Sequence, residues 1–311
     1  MAAQLGVARN TVSSAYDQLV AEGCLEARLG SGHYVVDLSP ARAANAHSLP
    51  RKARPAAGQP SPAVRNFDFV HANFVSAMPM RPFRPNMPSI EADHMQSWTR
   101  CYGKVLREAG RTSGRTGFLG ESDAAGEKRL RSAISEYVSF ARGVRCTADQ
   151  IIVTAGSQHA VDLLLRVIAE PGDKVIIEDP SFLGSRAAFQ AAGLSSIAVP
   201  VDTEGMDVAQ VATRRDDVRL ALICPSSQYP LGHVMSMQRR LALIQWAHRT
   251  GAWIIEDDYD SEYRYAGHPV PSLQGLDGGN RVIYIGTFSK VLFPALRIGF
   301  IGAPEELVQP L

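Results

Sequence analysis

Residues 281–300 read RVIYIGTFSKVLFPALRIGF. Arg281–Gly286 is apolar enough for a strand, and Thr287-Phe288-Ser289-Lys290 follows directly. A lysine on a strand-end loop of an α/β sheet can condense with an aldehyde cofactor. Arg297 stands seven residues later. It could hold that cofactor's phosphate together with the hydroxyls of Thr287 and Ser289, because a guanidinium fork matches phosphate oxygens. Alone, a Ser-Lys pair carries no such meaning, and a solvated surface lysine is the default.

Three other stretches lend the lysine company. WIIEDDYDSEY (253–263) sets Asp257 and Tyr259 at the end of the apolar strand Ala252–Glu256. A carboxylate beside a pyridine nitrogen keeps it protonated, and a phenol two residues on can hydrogen-bond a ring oxygen. Asp257, Asp258 and Asp260 would also suit a solvated turn or a bound cation. Next, the strand Ile151–Thr154 runs through Ala155-Gly156-Ser157 into a helix near Gln158, whose free N–H groups and positive dipole end form a phosphate site. Finally, EDPSF (178–182) places Phe182 past the strand Lys174–Glu178, where its face could stack on a flat ring or simply fill core.

Those strands, with Leu220–Cys224, alternate with helical stretches such as Gln158–Ala169 and Met237–Arg249. Such alternation predicts an α/β domain, a mostly parallel sheet with helices on both faces. Several strands are apolar throughout, as burial on both faces requires. This domain is expected from Phe67 to Leu311. Residues 39–66 hold five prolines, eight alanines and five basic side chains with no acidic one, which predicts an extended basic linker.

The chain has 311 residues, 45% hydrophobic and 20% charged, as in ordinary globular proteins. Its net charge of +1 excludes a polycation, yet residues 1–66 carry +3 and the remainder −2. Cys24, Cys101, Cys146 and Cys224 lie far apart in no ligand spacing, so reduced thiols are expected and neither a metal site nor a disulfide framework. No apolar run reaches the ~18 residues that cross a bilayer, and Gln4, Arg9, Asn10 and Asp17 interrupt any signal-peptide pattern. A cytoplasmic protein without a membrane partner is the expectation.

Residues 1–38 are patterned differently. Ala2–Leu5 ends a short helix, Gly6-Val7 turns, and a second helix runs from about Ala8 to Glu22. Val12, Ala15, Tyr16, Leu19 and Val20 form its inward stripe. Leu25–Arg28 and His33–Val36 flank Leu29-Gly30-Ser31-Gly32 as a hairpin. Helix, turn, helix and hairpin describe a winged helix-turn-helix, whose second helix reads base edges in the major groove. Arg9 and Asn10 suit guanine and adenine, Thr11, Ser13 and Ser14 lie beside them, and Arg28 and His33 on the hairpin could reach phosphate. The partner implied is double-stranded DNA.

AAQLGVARNTVSSAYDQLVAEGCLEARLGSGHYV (2–35) resembles the DNA-binding domain of the GntR family of bacterial regulators. Residues 67–311 resemble the aminotransferase-like branch of fold type I, and the two together resemble the MocR subfamily. The resemblance implies pyridoxal 5'-phosphate, with Lys290 as Schiff-base lysine, Asp257 as pyridine partner and Tyr259 as ring-oxygen donor. It sets Gly156, Ser157, Gln158, Thr287, Ser289 and Arg297 around the phosphate, with Phe182 on the ring. In CPSSQYPLG (224–232), Tyr229 stands where true aminotransferases have a ring-contacting Asn, and His159 is expected to be structural. Ala8 replaces the usual Ser N-cap. By the family pattern the chain begins inside the second helix and stops before the small C-terminal domain with its carboxylate-gripping arginine, so truncation at both ends is expected.

The function implied is a DNA-binding transcriptional regulator, a homodimer by resemblance, sensing an amino acid or vitamer at Lys290. The alternative is an aminotransferase moving an amino group between an amino acid and a 2-oxo acid, with Lys290 as catalytic base. A truncated, inactive product is the bland third reading.

Overall fold

The computed structural model describes residues 1–36, 88–89, 91–111, 123–212, 217–263 and 270–311. The expected linker at 39–66 lies outside the described residues. The chain divides into two units, Met1–Gln59 and Pro60–Leu311.

In the first unit, α1 (Ala2–Leu5) ends at Gly6, whose φ of 65° is the left-handed conformation glycine adopts without strain. Helix α2 (Arg9–Ala21) follows, then an antiparallel hairpin of β1 (Leu25–Arg28) and β2 (Gly32–Val35) in register Leu25↔Val35 to Arg28↔Gly32. The expected inward stripe of α2 is only partly covered. Val12, Tyr16 and Val20 are half-buried, whereas Ala15 and Leu19 are exposed. The physical reason is size: the four-residue α1 and a hairpin of two four-residue strands offer too little surface to enclose a 13-residue helix.

In the second unit the helices are α3 (Ala92–Arg111), α4 (Lys128–Arg142), α5 (Ser157–Ile168), α6 (Leu183–Ala191), α7 (Val208–Ala212), α8 (Met237–Thr250), α9 (Leu273–Asp277) and α10 (Glu305–Val308). The strands are β3 (Ile151–Thr154), β4 (Lys174–Asp179), β5 (Ser195–Asp202), β6 (Gly205–Met206), β7 (Val218–Ile223), β8 (Trp253–Asp258), β9 (Val282–Thr287) and β10 (Gly299–Gly302). Local chemistry sets helix ends. Glu127 accepts the Leu130 N–H at 2.8 Å to start α4, and Gly143 stops it at φ 66°.

The eight strands of this unit form one sheet in the order β3-β10-β9-β8-β7-β4-β5-β6. Strands β5, β4, β7, β8 and β9 pair parallel, while β10 runs antiparallel between β9 and β3. Alternate residues of each strand serve opposite faces. Ile177, Leu222, Ile255 and Ile283 pack with Ala160, Leu164 and Ile168 of α5. Ile176, Ala221, Ile254 and Val282 pack with Leu243, Trp246 and Ala247 of α8. Burial on both faces is why these strands read as unbroken apolar runs. Each such Ile or Leu contributes about 1.5–3 kcal/mol relative to exposure.

From β4 the chain builds outward to β5, and from β7 it builds the other way to β8 and β9. The carboxyl ends of β4 and β7 therefore face a crevice where the winding reverses, the place α/β sheets bind ligands. Loops after β3, β4, β7, β8 and β9 all open on that edge, and antiparallel β10 begins there, two residues after Arg297.

Candidate functional site

Asp257 lies in β8, every residue of which is buried. Its Oδ1 is buried without a hydrogen-bond partner among the described residues. Burial first, then Asp258 and Asp260, pushes its carboxyl up to about 7, against the pull of Lys290. Lys290, three residues past β9, is itself held below the usual lysine range by burial, while Asp260 and Asp257 oppose that shift. The fold thus brings amine and carboxylates into electrostatic contact. A buried carboxylate oxygen without a donor among the described residues, beside a half-buried amine, is an unusual expense in a folded chain, and it marks a site that expects a polar ligand.

The phosphate-binding expectations fall at the head of α5. Gly156 is its N-cap at φ 104°, a value L-residues avoid. A Cβ there would meet the Arg297 guanidinium at 3.3 Å, so the arginine lies beside the N-cap of the helix. Arg297 is the one non-glycine residue of positive φ, 52°, among the described residues. Ser157 opens the helix, and Gln158 donates to the Gly184 carbonyl at 2.8 Å. Thr287 Oγ1 accepts the Ser289 N–H at 3.2 Å and donates to the Ile298 carbonyl at 3.4 Å, which folds the lysine loop toward Arg297. His159 Nδ1 accepts the Ala155 N–H at 3.0 Å and so shapes the turn.

Aromatic side chains line the crevice. Phe182 meets Tyr229 edge-on at 5.4 Å between centroids, and Tyr229 meets Tyr259 at 6.2 Å. The Tyr259 hydroxyl lies 3.5 Å from Ser227 Oγ, and burial raises its phenol pKa.

Several supporting residues carried no sequence signal. Arg142 of α4 donates to Asp258 Oδ2 at 2.7 Å and to Ser226 Oγ at 2.5 Å, and Tyr284 donates to the same Oδ2 at 2.6 Å. Asp258 thereby fixes the end of β8 on the face opposite Asp257. Glu178 accepts the Cys224 N–H at 3.0 Å, and Gln228 donates to the Pro180 carbonyl at 2.8 Å. These bonds tie the Tyr229 loop to the Phe182 loop. Burial pushes the Glu178 carboxyl up to about 7. Such partners lie 46 and 116 residues apart, beyond any local pattern.

In the first unit, Arg9, Asn10, Thr11, Ser13 and Ser14 are all exposed along the early turns of α2. Ala8 is the N-cap and makes no side-chain cap bond. Arg28 lies 4.7 Å over the Tyr34 ring, and His33 packs against Tyr16 at 5.0 Å, so both hairpin side chains are held rather than splayed. Among the described residues no helix is long and apolar enough to cross a membrane.

Residues 99–311 match the aminotransferase class I and II family. The probable rhizopine catabolism regulatory protein MocR of Rhizobium meliloti is 42% identical over 308 residues, 99% of this chain and 60% of that protein. The HTH-type pyridoxine biosynthesis transcriptional regulator PdxR of Corynebacterium glutamicum is 32% identical over 311 residues, 100% of this chain and 61% of that one. The chain therefore spans about three fifths of the regulators it matches. Among solved structures, LysN, an alpha-aminoadipate aminotransferase of Thermus thermophilus complexed with N-(5'-phosphopyridoxyl)-L-leucine, is similar. It superposes with a TM-score of 0.62 at 31% identity, over 73% of this chain and 58% of that one. The larger unit has the fold type I architecture, and the resemblance to MocR-type regulators extends over nearly the whole chain.

Proposed function

The chain belongs to the aminotransferase class I and II family, and from that premise we propose that it is a pyridoxal phosphate-dependent, DNA-binding transcriptional regulator. One observation carries the reading: a helix-turn-helix with its hairpin shares a chain with a crevice that pairs Lys290 with Asp257. Residues 1–38 would bind DNA, 39–66 would link, and 67–311 would bind the cofactor. A homodimer in the cytoplasm is the setting this reading implies.

The residues fit pyridoxal 5'-phosphate. Asp257 Oδ1, buried and without a donor among the described residues, suits a pyridine N–H. Gly156, Ser157, Gln158, Thr287, Ser289 and Arg297 would hold the phosphate, and the α5 dipole adds to the arginine's charge. Tyr259 would donate to the ring oxygen, and Phe182 and Tyr229 would flank the ring. When bound, the cofactor supplies an aldehyde that condenses with amines and a ring that withdraws electrons. Lys290 would hold or release the proton on its amine as ligands exchange. An amino acid or vitamer then changes DNA affinity only as far as it binds two states of the protein unequally.

The aminotransferase reading draws on the same Lys290 and Asp257, and on the resemblance to LysN. The discriminating experiment selects duplexes from a random pool, then measures their affinity with pyridoxal phosphate present, with and without amino acids. Arg9→Ala should abolish selection, and Lys290→Ala should leave DNA binding but remove the amino-acid response. Multi-turnover transamination with no selectable duplex would favour the enzyme.

A further inference from the structure

We propose that Asp260 is a second carboxylate partner of Lys290, a positioning residue that keeps the lysine amine as ammonium until a carbonyl compound takes it up. The proposal rests on the reading above only in taking Lys290 as the reactive amine.

Asp260 follows Tyr259 just beyond β8. Its turn is closed by the Tyr263 N–H, which donates to the Asp260 carbonyl at 3.0 Å. The Tyr263 phenol donates to the Lys290 carbonyl at 2.9 Å. One tyrosine thus fastens the Asp260 turn to the lysine loop. Asp260 Oδ1 is buried and has no hydrogen-bond partner among the described residues. Ser227 Oγ lies 3.5 Å from the Tyr259 hydroxyl, and its hydroxyl favours the ionised form of the Asp260 carboxyl.

The charges facing these groups divide the work. Asp260 and Asp257 both act on Lys290, and Asp260 acts more strongly. Asp260 in turn faces Asp258, Glu262 and Lys290. Burial raises the carboxyls of both Asp257, inside β8, and Asp260, just past its end. The turn that Tyr263 fastens to the lysine loop carries the Asp260 carboxylate, so the charge assigned to the amine is Asp260's, and Asp257 is left for a ring N–H. Loss of one proton from the ammonium, to Asp260 or to solvent, frees the nitrogen lone pair.

The test uses the full chain without cofactor. Trace acetylation with acetic anhydride from pH 6 to 10, read at the Lys290 peptide by mass spectrometry, gives the titration midpoint of that amine. Asp260→Asn and Asp260→Ser should each lower the midpoint by about one unit, so that labelling one unit below the wild-type midpoint rises roughly fivefold. Asp260→Glu should restore the wild-type midpoint. Circular dichroism identifies any variant that fails to fold, and the other neutral variant then decides. A midpoint unmoved by neutralising Asp260, or moved only by Asp257→Asn, overturns the proposal. Because the reagent needs no cofactor, that outcome is separate from failure to bind pyridoxal phosphate.

Discussion

Gly299→Ala should damage the fold and the candidate phosphate site together, while Gly302→Ala on the same strand should do neither. Gly299 starts β10 and pairs with Thr154 on one side and Thr287 on the other. A Cβ at Gly299 would lie 2.8 Å from both C and Cα of Gly156 and 3.0 Å from the Gly286 carbonyl oxygen. Ordinary contact begins at 3.4 Å, so backbone would have to retreat by about 0.6 Å. All three obstructing atoms are main chain, and no side chain can rotate away. Overpacking of this kind costs about 1–3 kcal/mol. At about 2–4 °C per kcal/mol for a unit of this size, a 2 kcal/mol loss lowers Tm by about 4–8 °C. The displaced atoms belong to the N-cap of α5, so affinity for pyridoxal phosphate should fall at least tenfold. At Gly302 the nearest atoms to a new Cβ are Tyr284 Cβ at 3.6 Å and Cys146 Sγ at 3.9 Å, ordinary contacts. Thermal unfolding by circular dichroism and a cofactor titration read both variants. Gly299→Ala melting with the wild type, or Gly302→Ala falling as far, would refute the reasoning.

Further outcomes follow from the buried charges and the caps. Arg142→Met leaves the Asp258 carboxylate without its cation, at a cost of about 3–5 kcal/mol in urea unfolding, and Arg142→Met with Asp258→Asn should recover part of it. Glu178, raised to about 7 in the fold from an ordinary 4.5, adds stability that is full below pH 4.5 and lost as pH climbs through 7. Glu178→Gln should therefore gain on the wild type by on the order of 3 kcal/mol between pH 4.5 and 8, measured by urea unfolding at each pH. Ala8→Ser at the uncapped start of α2, where φ −65° and ψ 146° already suit a cap, should add about 1 kcal/mol. Amide exchange in α2 would slow about fivefold if so.

The parallel strands were legible because burial on both faces leaves apolar runs, and β3 carries the very bounds its pattern implies. Strand β5 is not legible in the sequence because Ser195, Ser196 and Pro200 break its apolar run, and only pairing with β4 and β6 makes it a strand. Strand β10 has glycine at both ends of four residues, so no local preference announces it; it exists because backbone must pass close to Gly156 and Gly286. At the site, Lys290, Asp257 and Tyr259 stood in readable motifs. Asp260 read equally well as a solvated turn, because the sequence does not reveal that Tyr263 folds it back to the lysine loop. Arg142 and Glu178 act across long loops, and their partners needed the sheet order to be known.

Pyridoxal phosphate is expected to modify the amine of Lys290. Borohydride reduction of the chain mixed with one equivalent of cofactor, followed by peptide mapping, tests this directly. A single adduct on Lys290, lost in Lys290→Ala and weakened by Asp257→Asn, is predicted. Label scattered over other lysines, with Lys290→Ala taking as much as the wild type, would contradict it.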